Sequence, residues 1–223
     1  LEKAISIKSD YAEAYFNMGL VFQGQGLFED AIIEFKKALS LNSNYIEAHK
    51  ELGNVLIHQN RYEEAITCYG HVIKILPDDV EPHIRIGTAL HQQGRFEDAL
   101  SAFKIAQKIK PECPEVLHKI SHALQKQGRL EEAITTLKEI LVNHPNDVNA
   151  HNNIGAALKD QGKFSEAIAA FNRTLALKPN HAKAHRNLSQ LKNCSALDPQ
   201  IKDMEVMYAD PELDEKSLCN LCF

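Results

Sequence analysis

The sequence predicts an all-α chain, a stack of helix pairs wound as an α-α superhelix, and three observations lead to that class. The 223 residues align with themselves at a shift of 34 without a gap. A column of turn-forming residues recurs at that shift. Two columns of bulky side chains, seven residues apart, follow it. A repeat of roughly 20–50 residues marks a stack of supersecondary units, each too small to bury its own apolar face without its neighbours.

The register gives five complete repeats, 12–45, 46–79, 80–113, 114–147 and 148–181. Within each, a small residue comes first: Gly19, Gly53, Gly87, Ser121 and Gly155. Twelve residues later stands an alanine: Ala31, Ala65, Ala99, Ala133 and Ala167. Small side chains at both places let two helix axes approach where they cross. Between them lies the turn column, Gly26, Asn60, Gly94, Gly128 and Gly162, all residues that tolerate positive φ. Phe28, Tyr62, Phe96, Leu130 and Phe164 open the second helix, and Phe35, Tyr69, Phe103, Leu137 and Phe171 lie two helical turns on, on the same face. The second helix is expected to stop before Pro77, Pro111, Pro145 and Pro179. Ser43 takes that column in the first repeat, so a softer stop is expected there.

In the same register residues 1–11 read as the end of a preceding repeat's second helix and 182–194 as the first helix of a partial sixth. Residues 195–223 read as a truncated helical linker. In it Asp198-Pro199 resembles a cap followed by proline at the first helical position, and Ile201, Met204, Met207 and Tyr208 give one apolar face. A further start follows at Asp214. On this reading both ends are cut from a longer chain.

The segment 12–45, AEAYFNMGLVFQGQGLFEDAIIEFKKALSLNSNY, closely resembles the tetratricopeptide consensus, and the resemblance extends over most of the chain. It implies an antiparallel helix pair per repeat and a solenoid whose concave groove, lined by first helices, holds a peptide or protein segment. The stretches HRNLSQLKN at 185–193 and DPQIKDMEVMYADPELDEKSLCNLCF at 198–223 resemble the junction between such repeats and the enzyme domain of bacterial tetratricopeptide–sulfotransferase proteins. That likeness implies an alternative: the substrate-recruiting arm of a larger transferase, a sulfotransferase ahead of an O-linked N-acetylglucosamine-type glycosyltransferase. No glycine-rich phosphate loop occurs in the sequence, so any transfer chemistry is expected in residues not present here.

Composition agrees with a binding module. Apolar residues at 44% and charged residues at 25% are those of an ordinary globular chain. A net charge of −5 argues against nucleic acid as partner, since phosphate binding needs clustered Lys and Arg. No apolar run approaches the roughly 20 residues of a membrane helix, so no membrane partner is expected. Five scattered cysteines (Cys68, Cys113, Cys194, Cys219, Cys222) show no disulfide framework and point to a reducing, cytoplasmic setting.

No catalytic residues, cofactor or metal are expected. The spacing of His118 and His122 would let both reach one ion, but nothing at matching spacing completes the ligand set. Cys219 and Cys222 form a C-x-x-C that reads as packing at the end of an apolar helix face. His49, His83, His151 and His185 take a bulky column and read as packing residues with a polar tip. The candidate groove is a set of columns on the first helices. One runs Asn17, Glu51, Arg85, Lys119, Asn153 and Asn187; beside it stand Lys50, His118 and Asn152, then Asn54, Thr88 and His122. Asparagine in the first of these columns, in related repeats, bonds the backbone of a bound peptide. The carboxylate clamp of chaperone-binding relatives is not assembled: Lys50 and Asn54 fit its first repeat, but Arg85 and Glu115 stand where Asn and Lys are needed.

Overall fold

The computed structural model describes residues 11–192, and among these every regular element is a helix. First helices are α1 (Ala12–Gly24), α3 (Ile46–His58), α5 (Val80–Gln92), α7 (Pro114–Lys126), α9 (Val148–Asp160) and α11 (Ala182–Lys192). Second helices are α2 (Phe28–Leu41), α4 (Tyr62–Ile75), α6 (Phe96–Ile109), α8 (Leu130–Asn143) and α10 (Phe164–Leu177). Both series start every 34 residues. Turns of three residues join first to second helix, which forces each pair to fold back antiparallel. The expected helical stub before residue 11, the helices begun at Asp198 and Asp214, the Cys219/Cys222 pair and most of the sulfotransferase-like junction lie outside the described residues.

The turn chemistry repeats atom for atom. Gly26, Gly94, Gly128 and Gly162 have φ of 75°, 77°, 74° and 74°, and Asn60 has φ of 58°. In the first turn Leu27 N–H donates to Phe22 O and Gly26 N–H to Gln23 O, satisfying two carbonyls the helix end would otherwise orphan. The same bond pair runs from Arg61 and Asn60, Arg95 and Gly94, Arg129 and Gly128, and Lys163 and Gly162. Tyr62 Oη donates to Asn60 Oδ1 at 2.6 Å, steadying the one non-glycine at positive φ among the described residues.

The small residue of the first helix lies against a ring of the second. A Cβ placed on Gly19, Gly53, Gly87 or Gly155 would lie 2.5–2.7 Å from the ring of Phe35, Tyr69, Phe103 or Phe171, closer than carbon atoms pack. These rings are 0–1% exposed. The helix backbone therefore approaches closely a ring sixteen residues on. In the fourth repeat that ring is replaced by the smaller Leu137, and there Ser121 is accommodated, fully buried, with its hydroxyl donating to His118 O at 2.9 Å.

All five second helices end in register, α2 at Leu41 included, so Ser43 gives no softer stop than the prolines do. Asn42 supplies the missing punctuation: its Oδ1 accepts from Asn44 N–H at 3.1 Å, a side-chain turn that competes with further helix.

The chain divides into two compact units after Val116. In the first, Ala31, Ile32 and Phe35 on α2 pack with Leu52, Val55 and Leu56 on α3 and with Ala65 and Cys68 on α4. Burial pushes the Cys68 thiol up to about 11, so it stays a neutral packing group. In the second, Leu137 and Ile140 on α8 pack with Ile154 and Leu158 on α9, Phe171 on α10 and Leu188 on α11.

Gly87→Ala should destabilise the chain by about 1–3 kcal/mol in urea denaturation, because the overlap with Phe103 outweighs the roughly 1 kcal/mol that alanine gains in helix propensity. Leu137→Phe should be destabilising alone and largely rescued by Ser121→Gly; an additive double mutant would refute the ring-to-glycine account. Asn60→Gly should be neutral, whereas Asn60→Ala should cost about 1 kcal/mol at the positive-φ turn.

Candidate functional site

The side chains expected to meet a ligand all stand on first helices, and each unit carries its own set. The first unit brings together Asn17 on α1, Lys50, Glu51 and Asn54 on α3, and Arg85 and Thr88 on α5. The second brings together His118, Lys119 and His122 on α7, Asn152 and Asn153 on α9, and Asn187 on α11.

Two ladders of polar contacts join neighbouring first helices. One spans 28 residues: Gln23 Nε2 donates to Glu51 Oε2 at 3.2 Å, Gln125 Nε2 to the Asn153 carbonyl at 3.4 Å, and Lys159 Nζ to Asn187 Oδ1 at 2.9 Å. The other reaches the carboxylate that starts the next first helix. Lys50 Nζ lies 2.7 Å from Asp79 Oδ2 and 3.0 Å from Glu81 Oε2, and His118 Nε2 donates to Asp147 Oδ2 at 3.2 Å. Asp79 Oδ1 also accepts from Glu81 N–H and Asp147 Oδ1 from Ala150 N–H, capping α5 and α9. Burial pushes both carboxyls up, but these partners outweigh it. Lys50 and the Glu81 N–H hold Asp79 below the usual carboxylate value, and the Ala150 N–H with His118 does the same for Asp147.

Asp79, Asp147 and the donors Gln23, Gln125 and Lys159 are the site residues that column reasoning missed. An aspartate directly before a helix start, twice in register, was the available signal for the caps. The glutamine and lysine donors had none, since exposed polar residues on a helix look alike in one dimension.

Several candidates turn inward. Asn54 Oδ1 accepts from Tyr69 Oη at 2.6 Å, and the Tyr69 hydroxyl also lies 3.2 Å from the Lys50 carbonyl. Thr88 Oγ1 donates to Ile84 O within its own helix. Asn152 is buried, its Nδ2 donating to Asn153 Oδ1 at 3.2 Å. Asn17, Glu51, Lys119, Asn153 and Asn187 are half-buried, and Arg85 is exposed with Glu81 3.4 Å away.

The histidine column has a definite task. His49 Nε2 donates to Ser43 O at 2.9 Å, His151 Nε2 to Pro145 O at 3.0 Å and His185 Nε2 to Pro179 O at 2.7 Å. Each ring ties the start of a repeat to the loop before it. The carbonyl only accepts, so Nε2 carries the proton in each of these bonds. His49 Nδ1 is buried without a partner, and burial lowers the His49 pKa, with the stacked His71 ring adding to the shift. His181 Nδ1 accepts from Ala184 N–H at 3.2 Å at the start of α11, and burial lowers this histidine too, with Lys178 and Lys183 adding to it. Among the described residues no three His, Cys, Asp or Glu side chains gather as a metal site, and no helix is long and apolar enough to cross a membrane.

Antiparallel helix pairs in an unbroken 34-residue register, with a glycine-to-ring contact in four pairs and polar side chains aligned on first helices, define a helical-repeat solenoid. The chain belongs to the tetratricopeptide repeat family: family models described as tetratricopeptide repeat match residues 12–45, 34–67, 80–113, 118–182 and 154–191, and one described as TPR repeat matches 53–94. No curated protein matched the chain. Among solved structures it is similar to YrrB, a TPR protein with an unusual peptide-binding site, at TM-score 0.66 and 22% identity over 82% of this chain and 94% of that one. It is also similar to MamA, at TM-score 0.68 and 22% identity over 77% and 94%. Pseudomonas aeruginosa pilF matches at TM-score 0.68 and 17% identity over 88% and 90%. At such identities the likeness concerns the fold.

Because the folded chain holds His49 and His181 below the ordinary value of 6.5, the unfolded chain binds more protons as pH falls through 6.5. Stability should therefore be full above pH 7 and decline from about pH 6.5 downward. A second decline should begin as Asp79 and Asp147 protonate below their ordinary value of 3.8. Urea midpoints measured across this range check both, and a midpoint that is flat from pH 7.5 to 5 would refute the first.

Proposed function

We propose that the chain is a non-catalytic interaction scaffold that holds an extended peptide or protein segment against its first-helix faces. The observation that carries this reading is the column Asn17, Glu51, Arg85, Lys119, Asn153 and Asn187. At one repeat position, it keeps partly accessible polar groups on rigid helices. An extended segment loses about 1–3 kcal/mol for every backbone group it buries unpaired, so a row of donors and acceptors at the repeat spacing suits it. YrrB, described with a peptide-binding site, supports the reading by analogy of fold. The free thiols Cys68 and Cys113 suit a reducing, cytoplasmic setting.

The residues at 185–193 and 198–223 support a second, compatible reading: the module recruits substrate for a transferase, a sulfotransferase before a glycosyltransferase. A phosphate-binding loop encoded downstream of Phe223 would support it, and a stop codon there would remove it.

Arg85→Glu with Lys119→Glu should weaken partner capture about tenfold or more while leaving helicity by circular dichroism unchanged. Captured proteins are identified and compared by mass spectrometry; an unchanged profile would defeat the scaffold-face reading.

A further inference from the structure

The two units carry opposite charge. Residues 11–116 hold ten Lys and Arg against fifteen Asp and Glu, and residues 117–192 hold eleven against six. In the second unit this excess sits on one kind of helix. Its first-helix residues carry Lys119, Lys126, Lys159, Lys183, Arg186 and Lys192 against Asp160, with Glu115 at the start of α7 falling just inside the first unit. Its second helices, α8 and α10, carry Lys138 and Arg173 against Glu131, Glu132, Glu139 and Glu166. The first helices of the first unit show the reverse balance, Lys50 and Arg85 against Glu13, Glu47, Glu51 and Glu81.

Local partners widen the contrast. Lys50 is neutralised by two carboxylates, Asp79 at 2.7 Å and Glu81 at 3.0 Å. Lys159, which reaches the next first helix in the same manner, meets only amide oxygens among the described residues, Asn187 Oδ1 at 2.9 Å and Gln190 Oε1 at 3.5 Å. Those bonds orient the ammonium and leave its charge standing. Lys119 has no ion-pair partner among the described residues. Around these cations stand the half-buried amides Asn153 and Asn187, whose groups can meet a peptide backbone.

From this charge pattern we infer that the first-helix face of the second unit docks an acidic, extended segment of a partner protein; the inference rests on the scaffold reading above and gives the ligand its chemistry. Carboxylates of the segment pair with Lys119 and Lys159, and the asparagine amides bond its backbone. The face of the first unit, with its own carboxylates, repels the same ligand. A polyanion such as RNA fits less well, because the whole chain carries −5 and the face offers isolated cations rather than a continuous stripe.

The test uses the full chain and fluorescence anisotropy with labelled peptides of about ten residues, one alternating Glu and Ser, one with Gln replacing Glu. At about 50 mM salt the acidic peptide should bind at least tenfold more tightly than its amide analogue, and the difference should shrink as salt rises. Lys119→Gln with Lys159→Gln should abolish that difference; Lys138→Gln with Arg173→Gln, on the second helices, should preserve it, with circular dichroism confirming the fold of both. Equal binding of the two peptides would overturn this inference and leave the scaffold reading intact, whereas no binding of either would count against both. Equal binding of a single-stranded RNA of the same charge, lost in the same variant, would replace it with a general anion surface. Tenfold tighter binding after neutralising the acidic run at 203–215 would show the chain's own segment on the face and overturn the external partner.

Discussion

The contact between a glycine of the first helix and the aromatic ring sixteen residues later sets how closely each helix pair is drawn together. Phe35, Tyr69, Phe103 and Phe171 lie where a β-carbon on the partner helix would be, and each is almost fully buried. Because a three-residue turn between glycine and ring already folds the second helix back on the first, this one close approach fixes the relative placement of the two helices. The fourth repeat supports this dependence from the other side. Where the ring shrinks to Leu137, the opposing residue grows to Ser121, and volume is conserved across the contact.

Once the pairs are fixed, the stack needs a means of joining one repeat to the next, and here the polar residues contribute as much as the core. His49, His151 and His185 tie each repeat to the loop before it, and Asp79 and Asp147 cap one helix while holding a side chain from the previous first helix. At the starts of the second helices Arg61, Arg95 and Lys163 reach acids one repeat back, Glu29, Glu63 and Glu131. These outer pairs are exposed and screened by solvent, so they contribute little to stability. The inner contacts decide which polar groups on the first helices stay unengaged. Gln23 engages Glu51 and Lys159 engages Asn187, so both the charge and the hydrogen-bonding capacity of the face are set by neighbours a repeat away.

Much of this was legible in one dimension because a gapless repeat converts sequence distance into spatial position. Helix starts, turn residues and the buried columns follow from the period, and the structure adds exact partners to them. That the candidate columns stand on first helices was legible in the same way, but not the state of their members. Asn54 and Asn152 sit in the expected columns and yet face Tyr69 and Asn153, because a side chain's direction depends on what its neighbours leave open. Ser43 shows the converse error: the absence of proline suggested a loose end, and a neighbouring asparagine closes it.

By itself the sequence determined the all-α solenoid, the 34-residue register and where each helix starts, since these depend on periodicity and on local backbone preferences. Tertiary structure decided the rest. It showed which ring fills the space a β-carbon on each glycine would take, because the antiparallel pair brings residues sixteen apart into contact. It also separated Lys50, silenced by two carboxylates, from Lys159, whose charge persists, because Coulomb interactions depend on distances across repeats that no single column contains.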